Sequence, residues 1–199
     1  MPRQTDDFDY EKLIGFVRER EMLYNHHHCS GLLLACVAVF VCVVGSVHCW
    51  ENWWDRPFQF KCPSGQSVRR FASYHSNHYE DRLWKFDCIY TGTKAACVWS
   101  GYVNSFDDPL LFQCANNGVI TGIGSYHNDH YEDRRFRFRC CSIPGKTLKN
   151  CRFSTSYHNA FDGYLNYYIP SNKVLKGAFS YHSDHHEDRR WKFEICDKP

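Results

Sequence analysis

The chain has 199 residues, a formal net charge of +2, an aromatic content of 17% and 12 cysteines. Intrinsically disordered chains are poor in aromatic residues and cysteine, so this composition excludes disorder as the general state. The cysteine content is high for a cytosolic protein and typical of an oxidising compartment. The length accommodates one domain with an N-terminal appendage.

The one long aliphatic run in the chain occupies residues 32–47 and contains no charged residue. A membrane-spanning helix needs about 20 apolar residues, whereas the hydrophobic region of a secretory signal needs about 7–15. We therefore expect residues 1–49 to be an N-terminal tail with a cleaved signal peptide, starting at Met1 or Met22. An uncleaved type II anchor is the alternative, and only then would the chain contact a membrane. Both interpretations place residues 50–199 outside the cytosol.

Residues 50–199 contain one sequence segment three times. Its copies are SYHSNHYEDRLWKFDC at 73–88, SYHNDHYEDRRFRFRC at 125–140 and SYHSDHHEDRRWKFEIC at 180–196. The similarity extends upstream of each copy and defines repeats at 50–88, 102–141 and 157–196. A fixed period of this length is the signature of a repeat architecture.

Within each repeat the pattern of apolar residues predicts β-strands. Apolar and polar residues alternate at 58–62, 84–88, 136–140 and 191–195, and residues 63–65 and 116–118 have turn composition. No stretch after residue 50 sustains a helical period over three turns. One repeat cannot bury its aromatic face alone, so the three should share a core. We predict an all-β, disulfide-stapled fold in a pseudo-threefold arrangement, either β-trefoil-like or β-prism-like.

The eight cysteines after Trp50 are predicted to form four disulfides. Cys62 and Cys88 end the first and last strands of the first repeat, so their pairing closes it. Cys140 and Cys141 are adjacent in a strand, face opposite sides and must take different partners. A zinc site is disfavoured because no C-x2-C spacing is present. The predicted pairs are Cys62–Cys88, Cys97–Cys140, Cys114–Cys141 and Cys151–Cys196.

An Asp-Arg pair begins the last strand of every repeat, at 81–82, 133–134 and 188–189. One interpretation is a ligand surface presented three times. The other is structural: each arginine is held by an acid or a backbone carbonyl, and Trp84, Phe136 and Trp191 lie in the core. Repetition in every unit favours the structural interpretation.

The Tyr-His-x-x-His segments are predicted to be exposed loops. Three interpretations are open: solvated loops, contacts for glycans or polyanions, and metal ligands. Of these we disfavour the last, and we expect the chain to bind neither a metal nor another cofactor. The candidate ligand-binding residues are Tyr74, His75, His78, Arg82, Tyr126, His127, His130, Arg134, Tyr181, His182, His185 and Arg189. The sequence contains no nucleophile elbow, P-loop, HExxH or dinucleotide-binding motif, so we expect no enzyme activity.

Several motifs together resemble the dermatopontin family. They are the repeated Asp-Arg-x-aromatic-x-Phe segment, Phe-x-Cys-Pro-x-Gly-Gln at 60–66, Cys-x-Asn-Asn-Gly at 114–118 and the Cys140-Cys141 doublet. The resemblance spans residues 50–196 and implies a secreted, non-enzymatic extracellular-matrix protein. The implied partners are glycosaminoglycans or proteoglycans, collagen fibrils and cell surfaces, with no nucleic acid. The alternative function is a soluble lectin or agglutinin with up to three repeated sugar sites.

Overall fold

The structure is a computed structural model that describes residues 32–37, 41–46 and 50–199. The chain divides into two units, Met1–Cys49 and Trp50–Pro199. In the first unit, β1 (Leu32–Val37) pairs antiparallel with β2 (Val41–Ser46). No helix of the described residues is long and apolar enough to cross a membrane. The start, expected at Met1 or Met22, lies outside the described residues, and the cleaved signal peptide stays a prediction.

The second unit is built from β-strands, and its described residues contain no helix, which confirms the all-β prediction. The strands of the first repeat are β3 (Phe58–Lys61), β4 (Gly65–Ser76) and β5 (Asp81–Thr93), followed by β6 (Ala95–Trp99). Those of the second are β7 (Leu110–Gln113), β8 (Gly118–Asn128) and β9 (Asp133–Ser142), followed by β10 (Lys149–Phe153). The third has β11 (Leu165–Tyr168), β12 (Lys173–Ser183) and β13 (Asp188–Asp197).

The short first strand of each repeat pairs with a long hairpin of another repeat. Strand β3 pairs with β8, β7 with β12 and β11 with β4, so that the exchange of strands forms a closed cycle. Two of these junctions require glycine. A Cβ at Gly122 would lie 2.8 Å from the Phe60 carbonyl oxygen, and one at Gly177 would lie 2.6 Å from that of Phe112. The absence of a side chain there lets backbones of two repeats approach closely.

One aromatic residue from each repeat meets the other two in the core. Trp84, Phe136 and Trp191 are fully buried, with ring centroids 4.9–5.5 Å apart and nearly perpendicular planes. Edge-to-face pairs of this kind are worth about 0.5–1.5 kcal/mol each beyond the area that they bury. The predicted core position of these residues is therefore confirmed, and they hold the three repeats together.

Four disulfides staple the unit, and two of the predicted pairings are wrong. Cys62–Cys88 and Cys151–Cys196 form as predicted. Cys114 pairs with Cys140 instead of Cys141, and Cys97 pairs with Cys141 instead of Cys140. The reason is the repeat itself: Cys114 and Cys140 stand in the second repeat where Cys62 and Cys88 stand in the first, with the same separation of 26 residues. Strand β6 lies beside β9 in a register that brings Cys97 to Cys141.

Candidate functional site

The Tyr-His-x-x-His segments have a buried half and an exposed half. The first histidine is the penultimate residue of a long strand and is buried in every repeat: His75, His127 and His182. The second lies in the following turn and is exposed: His78, His130 and His185. The prediction of an exposed loop is therefore wrong for the first histidine. The strands extend further than the sequence pattern indicated, and their alternation directs these side chains inward.

The tyrosine that precedes each buried histidine points outward. Tyr74 is 44% exposed and Tyr181 is 43% exposed, whereas Tyr126 is half-buried. The difference follows from the contacts of Tyr126, whose ring meets both Tyr102 and Phe106 edge-on. These tyrosines therefore lie on the same outer surface as the second histidines.

The three predicted arginines are buried and pair with aspartates of other repeats. Arg134 donates from Nε and Nη2 to both carboxylate oxygens of Asp81, at 2.5 and 2.7 Å. The same two-bond pairing joins Arg189 to Asp133 and Arg82 to Asp188. The pairs connect the second repeat to the first, the third to the second and the first to the third. The arginines thus brace the repeats, as the structural interpretation holds, and their guanidinium groups lie away from the outer surface.

A buried asparagine in each repeat supports the entry to the last strand, and the sequence analysis missed it. The Asn104 amide donates to the Arg134 carbonyl oxygen, and its Oδ1 accepts a hydrogen bond from the Phe136 amide. Asn52 and Asn159 make the same two bonds in their own repeats. The signal in the sequence is an Asn-x-aromatic-Asp motif at 52–55, 104–107 and 159–162.

The aromatic residue of that motif organises an exposed cluster in the second repeat. Phe106 stacks on Tyr131 with ring centroids 4.8 Å apart and planes 6° from parallel. The Arg135 guanidinium lies over Phe106 and over Tyr102. The Arg137 guanidinium also lies over Tyr102. We call Tyr102, Phe106, Tyr126, Tyr131, Arg135 and Arg137 the second-repeat cluster.

The third repeat carries a corresponding cluster with the same kinds of side chain. Phe161 stacks on His186, and Arg190 lies 4.4 Å from the Phe161 ring centre. Arg190 and Lys192 both lie over Tyr157. We call Tyr157, Phe161, Tyr181, His186, Arg190 and Lys192 the third-repeat cluster.

The first repeat preserves the aromatic stack but differs in charge. Trp54 stacks on Tyr79 with ring centroids 5.0 Å apart, and Tyr74 packs against Trp54. The position of Arg135 and Arg190 is occupied by Leu83, which is buried. We call Trp54, Tyr74 and Tyr79 the first-repeat cluster. Of the two cation positions of the other clusters, the first repeat keeps one: Lys85 stands where they have Arg137 and Lys192.

The exposed histidines lie at the edges of these clusters. His78 meets Tyr79 edge-on, His130 meets Tyr131 and His185 meets His186, with ring centroids 4.7–4.9 Å apart. Flat aromatic faces bordered by hydrogen-bond donors can contact a sugar ring, and guanidinium groups bind the carboxylate and sulfate substituents of acidic sugars. Tyrosine and stacked aromatics also bind with little loss of side-chain entropy, because few torsions remain free.

The buried histidines face carboxylates from two repeats. The Nδ1 atom of His127 lies 3.5 Å from an oxygen of Asp55 and 3.3 Å from one of Asp129, and its Nε2 lies 3.6 Å from Glu132. The Nδ1 atom of His182 lies 3.6 Å from Asp107 and 3.4 Å from Asp184. Its Nε2 lies 3.7 Å from Glu187. Both sets repeat one arrangement at two different junctions.

Burial shifts the pKa values of four carboxyl groups around the buried histidines and of one of these histidines. It raises the pKa of the Asp55 carboxyl above its usual range, and the negative charge of Asp81 adds to the rise. It also raises the pKa values of Asp107, Glu132 and Glu187, and it lowers the pKa of His75. The cavity beside these residues has a volume of about 20 Å³. That is room for about one water molecule and is too small for a sugar.

Comparison with known proteins agrees with the motifs of the sequence. The chain is 42% identical to the hemagglutinin/amebocyte aggregation factor of Limulus polyphemus, over 74% of this chain and 86% of the relative. It is 41% identical to dermatopontin of Biomphalaria glabrata, over 71% of this chain and 95% of the relative. It is 38% identical to Millepora cytotoxin-1 of Millepora dichotoma, over 73% of this chain and 65% of the relative. The solved structures provide no match.

The match extends over the whole repeat-containing unit. The family model for dermatopontin covers residues 52–198, from the first Asn-x-aromatic-Asp motif to the end of the last strand. This agreement, together with the two curated relatives above 40% identity, tests the resemblance directly. The chain belongs to the dermatopontin family.

Proposed function

We propose that this chain is a secreted, non-enzymatic extracellular-matrix protein that binds acidic glycans through its outer aromatic clusters. The observation that carries the proposal is the pairing of outer aromatic rings with cations. Both Arg135 and Arg137 lie over Tyr102, and both Arg190 and Lys192 lie over Tyr157. An arginine held on an aromatic face is pre-oriented, and its guanidinium matches carboxylate and sulfate groups.

The ligand class follows from the charge of the clusters. Two of the three clusters carry two cations each, spaced two residues apart on the outer face of β9 and β13. A glycosaminoglycan presents repeated anionic groups and can contact both clusters at once. Linked weak sites gain avidity when one ligand spans them. Association with collagen fibrils and with cell-surface receptors completes the proposal, by analogy with the family.

A soluble lectin or agglutinin is the second candidate function. It is favoured by the 42% identity to the hemagglutinin/amebocyte aggregation factor of Limulus polyphemus, a protein named for the aggregation of cells. The stacked pair Trp54 and Tyr79 of the first-repeat cluster, with no arginine over it, suits an uncharged sugar face. Three clusters on one chain would supply the valency that agglutination requires.

A glycan array combined with a hemagglutination assay separates the two functions. The matrix function predicts binding to heparin and dermatan sulfate that weakens steeply with salt, because screening reduces the attraction between exposed charges. The lectin function predicts agglutination that a specific neutral monosaccharide inhibits and that salt changes little. An array without any bound glycan would contradict both.

The arrangement of the repeats is part of the same proposal. The cyclic exchange of strands, the cyclic Arg–Asp pairs and the three core aromatics support a pseudo-threefold arrangement of the β-trefoil-like or β-prism-like kind. Such an arrangement would direct the three clusters outward around one axis. Secretion by way of a cleaved signal peptide in residues 1–49 would place them in the matrix.

A further inference from the structure

The buried histidines have unsatisfied hydrogen-bonding groups. Their side chains are each 1% exposed. Both ring nitrogens of His75 and of His182, and Nε2 of His127, have no hydrogen-bond partner. A buried polar atom without a partner costs about 1–3 kcal/mol, so an arrangement repeated at several junctions needs an explanation.

The carboxylates around His127 and His182 come from two repeats. Asp55 belongs to the first repeat and Asp129 to the second, and both oxygens face Nδ1 of His127. At the next junction, Asp107 belongs to the second repeat and Asp184 to the third, and both face Nδ1 of His182. The ligand atoms of His127, Asp55 and Asp129 lie within 4.8 Å of one another. At the second junction the group that lies this close is His182 with Asp107 and Asp133, and Asp184 lies 3.4 Å from Nδ1.

The distances within each set match those between the ligands of a metal ion, and the contact of His127 Nδ1 with Asp129 is also a long hydrogen bond. A normal N–H···O bond measures about 2.7–3.2 Å between its heavy atoms. The four Nδ1–carboxylate distances are 3.3, 3.4, 3.5 and 3.6 Å. Ligand atoms placed about 2.0–2.2 Å from a tetrahedral Zn²⁺ lie about 3.3–3.6 Å from one another.

We propose that His127 with Asp55 and Asp129, and His182 with Asp107 and Asp184, form two binding sites for a divalent transition-metal ion such as Zn²⁺. Asp129 and Asp184 have side chains 84% and 85% exposed, so each site opens to solvent and a water molecule completes the coordination. On the opposite ring edge, carboxylate oxygens of Glu132 and Glu187 lie 3.6 and 3.7 Å from Nε2, beyond hydrogen-bond distance. A carboxylate on this side is the usual outer partner of a metal-bound histidine once it comes within hydrogen-bond distance.

The junction at His75 lacks one of the carboxylate ligands and therefore serves as an internal control. Asn77 stands where the other repeats have Asp129 and Asp184. Nδ1 of His75 instead faces Asp188, which is already paired with Arg82, and Asp162 lies on the Nε2 side. Two sites per chain are therefore expected, with a third only after the substitution Asn77→Asp.

The sites would link each repeat to the next at the base of the outer clusters. Asp55 directly follows Trp54, and Asp107 directly follows Phe106, which are the stacked rings of two clusters. A cation at these points would fix the two stacking residues relative to the neighbouring repeat.

The test is titration of the metal-free full chain with Zn²⁺ by calorimetry at pH 7.4, and with Co²⁺ by visible absorption. All samples carry H26A/H27A/H28A, because a run of three histidines can itself serve as a metal ligand and would confound the count. The expected result is two Zn²⁺ ions per chain and the absorption of tetrahedral Co²⁺. D129N and D184N should each weaken one site by roughly tenfold or more. Both residues are exposed, so these variants are expected to fold.

Matched variants decide the assignment. N77D should add a third site, and D87N, which changes an aspartate on β5 outside both sites, should leave the two sites unchanged. Fewer than two saturable sites, or two sites of unchanged affinity in D129N and D184N, would overturn the proposal. Saturable Ca²⁺ binding without Zn²⁺ binding would also overturn it, because an imidazole ligand favours transition metals.

Discussion

Arg134 of the second repeat donates two parallel hydrogen bonds to Asp81 of the first repeat, and both residues are 3% exposed. The same relationship links each repeat to another, so the three pairs form a closed set of contacts between repeats. Asp81 also accepts a hydrogen bond from the Asp55 amide, which ties the pair to the loop that carries Trp54. The buried arginine and aspartate of each repeat therefore find their charged partners in the other two repeats.

Removal of one member of such a pair should be strongly destabilising. R134M leaves the Asp81 carboxylate buried without its partner, and we expect a loss of about 3–5 kcal/mol in the free energy of unfolding. D81N in the same chain should recover part of that loss, because the unpaired charge disappears. The measurement is urea denaturation under non-reducing conditions. R56A, at an exposed side chain, is the control, and equal stability of R134M and R56A would refute the bracing role.

The disulfide pairing gives a second prediction. The third repeat has Ile169 and Ile195 where the second has Cys114 and Cys140, and all four residues lie in or against the core. C114I/C140I should therefore fold and be about 2–4 kcal/mol more stable than C114A/C140A, which leaves a cavity. Thermal denaturation of the two variants compares them. A C114I/C140I chain that fails to fold while C114A/C140A folds would contradict the equivalence of these positions.

A third prediction concerns pH and the third repeat. Burial lowers the pKa of His158, whose ring lies 3.9 Å from that of Tyr167. The unfolded chain therefore takes up the proton first, so stability is full above about pH 6.5 and falls as the pH is lowered towards the folded-state pKa. Val103 occupies this position in the second repeat, and H158V should show a smaller loss of thermal stability between pH 7.5 and 5.5. H78A, at an exposed histidine, should behave like the unmodified chain. An equal loss in H158V would contradict the assignment.

A fourth prediction tests the stacked rings of the outer clusters. F106A removes the ring that stacks on Tyr131, and it leaves Asn104 and the core trio in place. We expect a fall in glycan affinity of roughly fivefold, which corresponds to about 1 kcal/mol for one aromatic contact. Surface plasmon resonance on immobilised dermatan sulfate measures it, with circular dichroism to confirm the fold. L111A, at an exposed aliphatic residue on β7, is the control that should bind normally.

The strands and the core could be predicted from the sequence because their signal is local. Alternation of apolar and polar residues marked Phe58–Lys61 and the last strand of each repeat, and it placed Trp84 and Trp191 inside. Strand partners could not be predicted in this way. The pairing of Phe58–Lys61 with β8 of the next repeat depends on register between distant segments, which composition does not encode.

Only part of the candidate site could be predicted from the sequence, for a related reason. Tyr74 and the exposed His78 lie on the outer surface as expected, whereas His75 is inside because β4 continues to Ser76. Charged and aromatic residues near a turn obscure the end of a strand, so the alternation of Tyr74 and His75 was not recognised. Trp54 and Phe106 were missed because their partners, Tyr79 and Tyr131, lie about 25 residues away in the chain.

The central claim is that the outer cations of the second and third repeats bind acidic glycans. Its most direct test is retention on immobilised heparin of the full chain and of the variant R135A/R137A/R190A/K192A, over a range of salt concentration. The control is K146A/K149A, which removes cations outside the clusters. Loss of four partly exposed cations should weaken binding at physiological salt by roughly tenfold or more and should flatten its salt dependence. Retention of the fourfold variant equal to that of the full chain and the control would contradict the account.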